Sequence, residues 1–298
     1  MLDEAPLSPV SLNDGHLDPA DVSRYRDEGY LRPIPVFSAQ EAGRLRNDLE
    51  NLEKTWLTAD LPHPLNTYKR VNSHCVIPMA HRIAADARVL DVIEGILGPD
   101  ILIWSVEFFI KEPQTKSIVT MHQDLTYWGF GAVDQLLTAW IALSPATTAS
   151  GCMNFVKGSH KNPILPHEDT YDKNNLLSRG QEIKVDVAEK DRVPAELQPG
   201  QMSLHHGLMI HGSGPNVTDD RRIAVAIRYC TPQIAQQVAS KDYAILARGA
   251  DRTGNFINFA PPTDPFTPAS LALYDEIRDA QTAALMDGAT DKGQGLYS

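Results

Sequence analysis

The sequence predicts a mainly β protein with flanking helices, built as a double-stranded β-helix, or jelly-roll, barrel. From Ile101 onward the chain consists of short β-rich runs, and turn-forming Gly, Pro and Asn residues separate them. Helical patterns with clear starts precede these runs. Such a series suits a jelly-roll barrel, whose wide mouth can house a metal. The fold alone does not establish a function, because jelly rolls also serve as lectins and capsids.

Helix starts are marked by side chains that can accept a hydrogen bond from the first turn. Asp18 stands directly before a proline, and Ser38 has a glutamate three positions later, the spacing of a capping box. The second of these helices should continue to about Leu52. The expected helices begin at Asp18 and Ser38 and cover roughly residues 78–97 and 267–286.

The β-rich half contains six expected strands and one long polar insertion. The insertion, at about residues 161–199, is long for a connection inside a barrel. It is either a lid that selects the substrate or a surface excursion with one edge strand. The strands are expected at 101–110, 136–143, 152–156, 181–187, 202–204 and 222–231.

Composition favours one globular unit. A hydrophobic content of 42% in 298 residues can bury a large core. We expect a flexible N-terminal arm at residues 1–18 and a single domain at 19–298. The C-terminal helix should pack on the outside of this domain or against a partner chain, as in a homodimer.

Charge and cysteine usage limit the partners and the compartment. A formal net charge of -11 argues against nucleic acid or an anionic membrane as a partner. Cys75, Cys152 and Cys230 are widely spaced among apolar neighbours, which indicates reduced thiols. The sequence has neither a secretory leader pattern nor a long apolar run. We therefore expect a cytoplasmic protein that acts on a small molecule.

The segment His122-Gln-Asp124 suggests a metal site. In an extended segment, alternate residues point to the same face, so His122 and Asp124 would point inward together while Gln123 turns away. His211, in a His-Gly-Ser-Gly context, is the candidate third ligand. Two histidines and one carboxylate leave coordination positions open on iron, which allows Fe(II) to hold a chelating cosubstrate and O2 together.

Arg222 opens an apolar run that is typical of a buried strand. A buried guanidinium is costly without a partner, and its natural partner is a carboxylate held by the planar fork. A dicarboxylate that chelates iron at one end and meets Arg222 at the other would satisfy both sites. 2-Oxoglutarate has that form.

These residues resemble the phytanoyl-CoA dioxygenase family of Fe(II)/2-oxoglutarate-dependent oxygenases. The resemblance covers roughly residues 18–262, and its blocks occur in the order of the family. The blocks are Tyr25-Arg-Asp-Glu-Gly-Tyr30, Met121-His-Gln-Asp-Leu-Thr-Tyr127, Thr-Ala-Trp140, Ser150-Gly-Cys-Met-Asn-Phe-Val-Lys-Gly-Ser-His160, Leu-Pro-His167 and Ile210-His-Gly-Ser-Gly-Pro-Asn216 through Arg222.

The resemblance implies roles for individual residues. His122, Asp124 and His211 would be the iron ligands. The remaining assignments concern 2-oxoglutarate: Arg222 and Ser213 would hold its distal carboxylate, and Trp140 and Gln123 would line its pocket. Trp140 also fits an ordinary core position.

Three further residues have two interpretations each. Lys111 reaches the cosubstrate carboxylate or is a solvated strand-end lysine. His205 shares the strand parity of His211 and is a supporting or substrate-facing group, whereas His206 should face the other way. Arg228 shares the parity of Arg222 and binds an anionic group of the substrate or forms a salt bridge within the fold.

The reaction implied by the resemblance is oxidation of an unactivated C-H bond, with release of succinate and CO2. Related halogenases replace the carboxylate ligand with a small residue, so Asp124 favours hydroxylation or another oxidation such as desaturation or ring formation. A small metabolite is the favoured substrate. Two alternatives stay open: a jelly-roll metal dioxygenase that does not use 2-oxoglutarate, and a jelly-roll protein that binds a ligand without catalysis.

Overall fold

A computed structural model describes residues 10–287 of the chain, as six helices and fifteen strands. The helices are α1 (Pro19–Glu28), α2 (Ala39–Trp56), α3 (Leu65–Arg70), α4 (Pro78–Ala84), α5 (Ala87–Leu97) and α6 (Pro268–Leu285). The strands are β1 (Leu12–Asn13), β2 (His16–Leu17), β3 (Tyr30–Pro35), β4 (Ile101–Lys111), β5 (Val119–His122), β6 (Leu136–Ala142), β7 (Met153–Val156), β8 (His167–Asp169), β9 (Gln181–Ile183), β10 (Arg192–Ala195), β11 (Gln201–His206), β12 (His211–Ser213), β13 (Arg222–Cys230), β14 (Tyr243–Arg248) and β15 (Ile257–Asn258).

Two sheets form the jelly roll that the sequence predicts. The larger sheet has the strand order β15-β14-β4-β13-β6-β11-β3, and the smaller one has the order β10-β7-β12-β5. Trp140 and Ala226 of the larger sheet share an apolar cluster with Phe155 of the smaller sheet. The two sheets therefore pack face to face, and the space between them holds the candidate site.

The helices cover the other face of the larger sheet. Val106, Ile141 and Ile227 point to that face and share one large apolar cluster with residues of α2 to α6. Burial of apolar side chains on both faces explains why β4, β6 and β13 are almost continuously apolar. Because the helices pack on this face of the larger sheet, polar side chains can occupy its inner face.

Helix capping explains where the predictions were right and where they were wrong. The predicted capping box is present, because Ser38 Oγ accepts from Glu41 N and Glu41 accepts from Ser38 N. The helix predicted at 78–97 is instead two helices. Asp86 interrupts it, since this side chain accepts from Arg88 N and caps a new helix at Ala87.

The N-terminal arm differs from its expected form, whereas the insertion contains an edge strand, as one of its two interpretations predicted. Residues 1–9 lie outside the described residues, whereas residues 10–18 include the short β1-β2 pair with Leu17 buried, so this part is not loosely held. The insertion contains β10, which is the outer strand of the smaller sheet. The strand predicted at 181–187 ends at Ile183.

Strands β3 and β14 and helix α3 were not predicted, because they are short or lack a clear start signal. Strand β5 agrees with the extended segment predicted at His122. The three cysteines are buried and free, as expected. Among residues 10–287, no helix combines the length and apolar character needed to cross a membrane.

Candidate metal centre and cosubstrate pocket

Two histidines lie opposite each other on adjacent antiparallel strands. His122 is the last residue of β5 and His211 is the first of β12, and the two are paired in the register of the smaller sheet. Both side chains are buried, and their ring centroids are 4.2 Å apart. Strand pairing therefore brings together two residues that are distant in the sequence.

Asp124 completes the group from a short 3-10 turn that follows β5. Its Oδ1 lies 3.2 Å from His122 Nε2 and 3.9 Å from His211 Nε2. Its Oδ2 accepts a hydrogen bond of 3.3 Å from Thr138 Oγ1. One ligand atom from each of the three residues lies within 4.8 Å of the others, and no second such group occurs in the described part of the chain.

The hydrogen bonds of the two imidazoles suit a metal ion. His122 Nδ1 lies 2.9 Å from Thr120 O, and His211 Nδ1 lies 2.9 Å from Met209 O. A carbonyl only accepts, so each Nδ1 carries the proton and each Nε2 keeps its lone pair. Burial, with His122 nearby, lowers the pKa of His211 well below its usual value, which keeps this ring neutral. Two neutral imidazoles and one carboxylate are a donor set that fits Fe(II).

Arg222 is the first residue of β13 and lines the same cavity. It is 2% exposed, and its guanidinium carbon lies 5.1 Å from the Trp140 ring centroid. Its Nη1 lies 3.5 Å from Phe109 O, and its Nε has no hydrogen-bond partner among residues 10–287. Burial, followed by the charge of Arg70, lowers the pKa of Arg222 to about 9, so the group stays charged at neutral pH.

No carboxylate from residues 10–287 forms a salt bridge with this guanidinium. A buried charge without a counter-charge is costly, so the cavity has a strong requirement for an anion at this end.

Lys111 lies beside this guanidinium, since it is paired with Arg222 across β4 and β13. Its Nζ donates to Ser213 Oγ at 2.7 Å and also donates to Gly214 O. It is 1% exposed, so the prediction of a solvated lysine is wrong. Burial, followed by the charge of Arg222, lowers the pKa of Lys111 to about 6. Ser213 lines the cavity, and Lys111 contacts it from behind.

Of the two residues predicted to line the cosubstrate pocket, Trp140 lines the cavity and Gln123 does not. Gln123 is fully buried elsewhere: its Nε2 donates to Leu208 O at 2.9 Å, and its Oε1 accepts from Leu165 N at 2.8 Å. These bonds attach the start of the insertion to the turn before β12. Gln123 therefore has a structural position and not the predicted one in the pocket.

His205 lines the cavity, and its Nε2 lies 3.7 Å from Asp124 Oδ2. His206 faces the other way, as its parity predicts, and lies 3.2 Å from Asp134. Arg228 also lines the cavity and forms a close ion pair with Glu107. The salt bridge predicted for Arg228 is therefore present, and binding of a substrate anion by Arg228 stays a prediction.

The cavity measures about 130 Å³ and includes residues that the sequence analysis missed. A signal existed for Glu107, because it is an inward charge in an apolar strand. No local pattern marked the others, which come from separate elements that converge only in the fold. They include Arg70 of α3, Trp104 of β4, Trp128, Leu177 and Ser178 of the insertion, and Gln281 and Leu285 of α6.

A sequence model of the family described as phytanoyl-CoA dioxygenase (PhyH) matches residues 25–224. This span includes His122, Asp124, His211 and Arg222. The chain belongs to the phytanoyl-CoA dioxygenase family. The resemblance inferred from the sequence blocks is thus confirmed.

Curated relatives differ in how much of the chain they match. A probable phytanoyl-CoA dioxygenase of Caenorhabditis elegans is 30% identical over 156 residues, which are 50% of this chain and 50% of the relative. The chain thus spans about half the length of this relative. A probable alpha-ketoglutarate-dependent hypophosphite dioxygenase of Stutzerimonas stutzeri is 24% identical over 279 residues, which are 87% of this chain and 95% of the relative.

Among solved structures, the non-heme monooxygenase ThoJ in its apo form has a TM-score of 0.80 and 31% identity. The match covers 89% of this chain and 97% of ThoJ. A nickel complex of ThoJ has a TM-score of 0.72 and 30% identity, with 87% of this chain and 96% of ThoJ covered. The jelly-roll fold of the family is therefore shared over nearly the whole length of the described residues.

Proposed function

We propose that this protein is an Fe(II)- and 2-oxoglutarate-dependent dioxygenase that oxidises a C-H bond of a small metabolite and releases succinate and CO2. The observation that carries this proposal is a pair of unmet requirements in one cavity. His122, Asp124 and His211 present a donor set for a metal, and the charged, buried Arg222 requires a carboxylate. 2-Oxoglutarate meets both requirements, since it is a chelator at one end and a carboxylate at the other.

Each residue would then have a defined task. His122, Asp124 and His211 would hold Fe(II) from one side and leave its other positions open to the cavity. Bound iron would supply the chemistry that couples O2 and 2-oxoglutarate to oxidation of the substrate. Arg222 would hold the distal carboxylate through its planar fork.

The neighbours of these groups would support them. Trp140 and Phe109 flank the guanidinium of Arg222 and keep water from it. Thr138 donates to Oδ2 of Asp124, which fixes the orientation of that carboxylate. Lys111 would hold Ser213 in place and add positive charge near the cosubstrate when it is protonated.

Relatives support this proposal. ThoJ, which shares the fold at 31% identity, also exists as a nickel complex. The Stutzerimonas stutzeri relative is named as alpha-ketoglutarate-dependent. Asp124 favours hydroxylation or a related oxidation. The homodimer and the cytoplasmic location stay predictions, and the buried free thiols are compatible with a reducing compartment.

Succinate release tests this proposal. The protein is incubated with Fe(II), O2 and 2-oxoglutarate labelled at C1, with and without small metabolites. Release of the label as CO2 and formation of unlabelled succinate are both measured. We expect slow release that depends on both Fe(II) and 2-oxoglutarate and that a substrate accelerates. O2 uptake that does not respond to 2-oxoglutarate would instead support the dioxygenase alternative. Neither succinate release nor O2 uptake under any condition would support a ligand-binding protein.

A further inference from the structure

The inner face of β13 carries a guanidinium at each end. Arg222 and Arg228 share this face with Ala224 and Ala226, because alternate residues of a strand point to the same side. The two arginines are separated by roughly 20 Å along the strand at about 3.3 Å per residue. The alanines between them are small, so they leave space above the strand.

The Arg228 end lies next to the metal-ligand group. Arg228 is paired with Thr138 of β6, and Thr138 donates to Asp124. Because the proposed function places 2-oxoglutarate at the Arg222 end, the Arg228 end is the place for the primary substrate. The inference below rests on that proposed function.

Charged groups at this end are concentrated around Glu107. Glu107 is 3% exposed and forms a close ion pair with Arg228. Arg70 approaches the same carboxylate from α3, with its Nε 3.8 Å from Glu107 Oε2. One buried carboxylate thus lies between two guanidiniums.

The cavity as a whole has more positive than negative side chains. Among residues 10–287, the charged lining residues are Arg70, Arg222, Arg228, Glu107 and Asp124, whose formal charges sum to one positive charge. Fe(II) and the dianion of 2-oxoglutarate cancel each other and leave this excess unchanged. The excess occurs inside a chain whose formal net charge is -11. In a low-dielectric cavity, such an excess favours binding of a single negative charge.

Aromatic rings adjoin the charged groups. The rings of Trp104 and Trp128 line the cavity with centroids 5.1 Å apart, and the guanidinium of Arg228 lies 5.4 Å from the Trp128 centroid. The hydroxyl of Tyr127, another lining residue, is buried and has no hydrogen-bond partner among the described residues. Two mutually tilted indole rings therefore lie beside the positive charge of Arg228, and the same cavity has an unpartnered hydroxyl among the described residues.

We propose that the primary substrate is a small organic monoanion, such as an apolar or aromatic carboxylate. Its anionic group binds at Arg228, beside Glu107, and its apolar part packs on Trp104 and Trp128. A neutral apolar substrate would lack the charge-assisted contact with the guanidinium of Arg228. A cationic substrate could pair with Glu107 only where Arg70 and Arg228 would repel it, so a cation should bind most weakly.

Matched ligands test this charge preference at nearly constant shape. The probes are two series: indole-3-acetate, indole-3-acetamide and tryptamine, and 3-phenylpropionate, 3-phenylpropanamide and 3-phenylpropylamine. Binding to the full chain is measured anaerobically by calorimetry and tryptophan fluorescence, with Fe(II) and 2-oxoglutarate and again without either. We expect at least one carboxylate to bind about tenfold or more tightly than its amide, with the amine weakest.

Substitutions test whether Arg228 causes the preference for carboxylates. Arg228→Met should remove it, and Arg228→Lys should retain much of it. Arg248→Met, on β14 and outside the cavity lining, should leave it unchanged. Because Arg228→Met leaves Glu107 without its close partner, the double variant Arg228→Met/Glu107→Gln is measured beside it and should also lack the preference.

Several outcomes would overturn this proposal. They are equal binding of amide and carboxylate, tighter binding of an amine, a preference that persists in both Arg228→Met variants, and no binding of any of the six compounds. Binding without iron does not depend on turnover, so this result is separate from the succinate test. Normal succinate release without a charge preference would overturn the substrate class alone.

Discussion

Arg222 is the residue on which the cosubstrate assignment depends. Its side chain is among the largest that are almost completely buried. The guanidinium contacts two aromatic rings and one backbone carbonyl. A buried guanidinium of this kind is stabilised when an anion forms a salt bridge with it. The sequence indicated this arginine because a charge opened an apolar strand, a conflict between local pattern and burial that often marks a functional site.

Replacement of Arg222 should weaken 2-oxoglutarate binding while iron still binds. In Arg222→Met, loss of the buried charge pair should cost at least about 2 kcal/mol, or roughly thirtyfold in Kd. Anaerobic calorimetry with 2-oxoglutarate measures this change. Arg248→Met is the matched control and should bind normally. Unchanged affinity in Arg222→Met would show that the guanidinium does not hold the cosubstrate.

Lys111 should make 2-oxoglutarate binding depend on pH. Burial lowers the pKa of Lys111 to about 6, so the amine is neutral at pH 8 and takes up a proton as the pH falls towards 6. Only the protonated form attracts a carboxylate, so the affinity for 2-oxoglutarate should increase as pH falls from 8 to 6. The increase is at most about tenfold per pH unit.

Calorimetry across this pH range checks the prediction. Lys111→Met should bind 2-oxoglutarate with a flatter pH profile than the wild type. If the two profiles coincide, Lys111 does not take part.

At the scale of elements, α6 is attached to the barrel through Gln281. Its Oε1 accepts from Asn72 Nδ2 at 2.6 Å, and its Nε2 donates to Asp242 Oδ1 at 3.3 Å. Trp104 Nε1 donates to the same carboxylate at 3.0 Å. One buried network therefore connects the C-terminal helix with a tryptophan of the cavity.

Gln281→Ala should destabilise the protein, because Asn72 and Asp242 would lose partners in a buried place. The expected loss is about 1–3 kcal/mol in the free energy of unfolding, measured by denaturant titration. Asp279→Ala, at an exposed position of the same helix, should change it by less than about 0.5 kcal/mol. A loss in Gln281→Ala no larger than in this control would contradict the role of the network.

Local signals predicted elements well where the chain carries its own start and stop residues. The cap at Asp18, the capping box at Ser38 and the start of α6 at Thr267 were all visible in the sequence. The break at Asp86 was missed because the apolar period continues across it. The role of Gln123 was also hidden, since its partners at Leu165 and Leu208 approach only in the fold.

At the scale of the whole molecule, the site is a product of sheet pairing. The sequence identified His122, Asp124, His211 and Arg222 from their local contexts and from the family resemblance. It did not show that His122 and His211 face each other across β5 and β12, because strand order is not a local property. Arg70, Trp104 and Trp128 were missed for the same reason, whereas Glu107 was missed although it is an inward charge in an apolar strand.

The central claim is that His122, Asp124 and His211 hold one Fe(II) together with 2-oxoglutarate. Anaerobic titration of the protein with Fe(II) in the presence of 2-oxoglutarate, followed by visible absorbance, tests it most directly. We expect a metal-to-ligand charge-transfer band that saturates at one iron per chain, is absent in His211→Ala and persists in the surface control His63→Ala. No band in the wild type, or an equal band in His211→Ala, would contradict the claim.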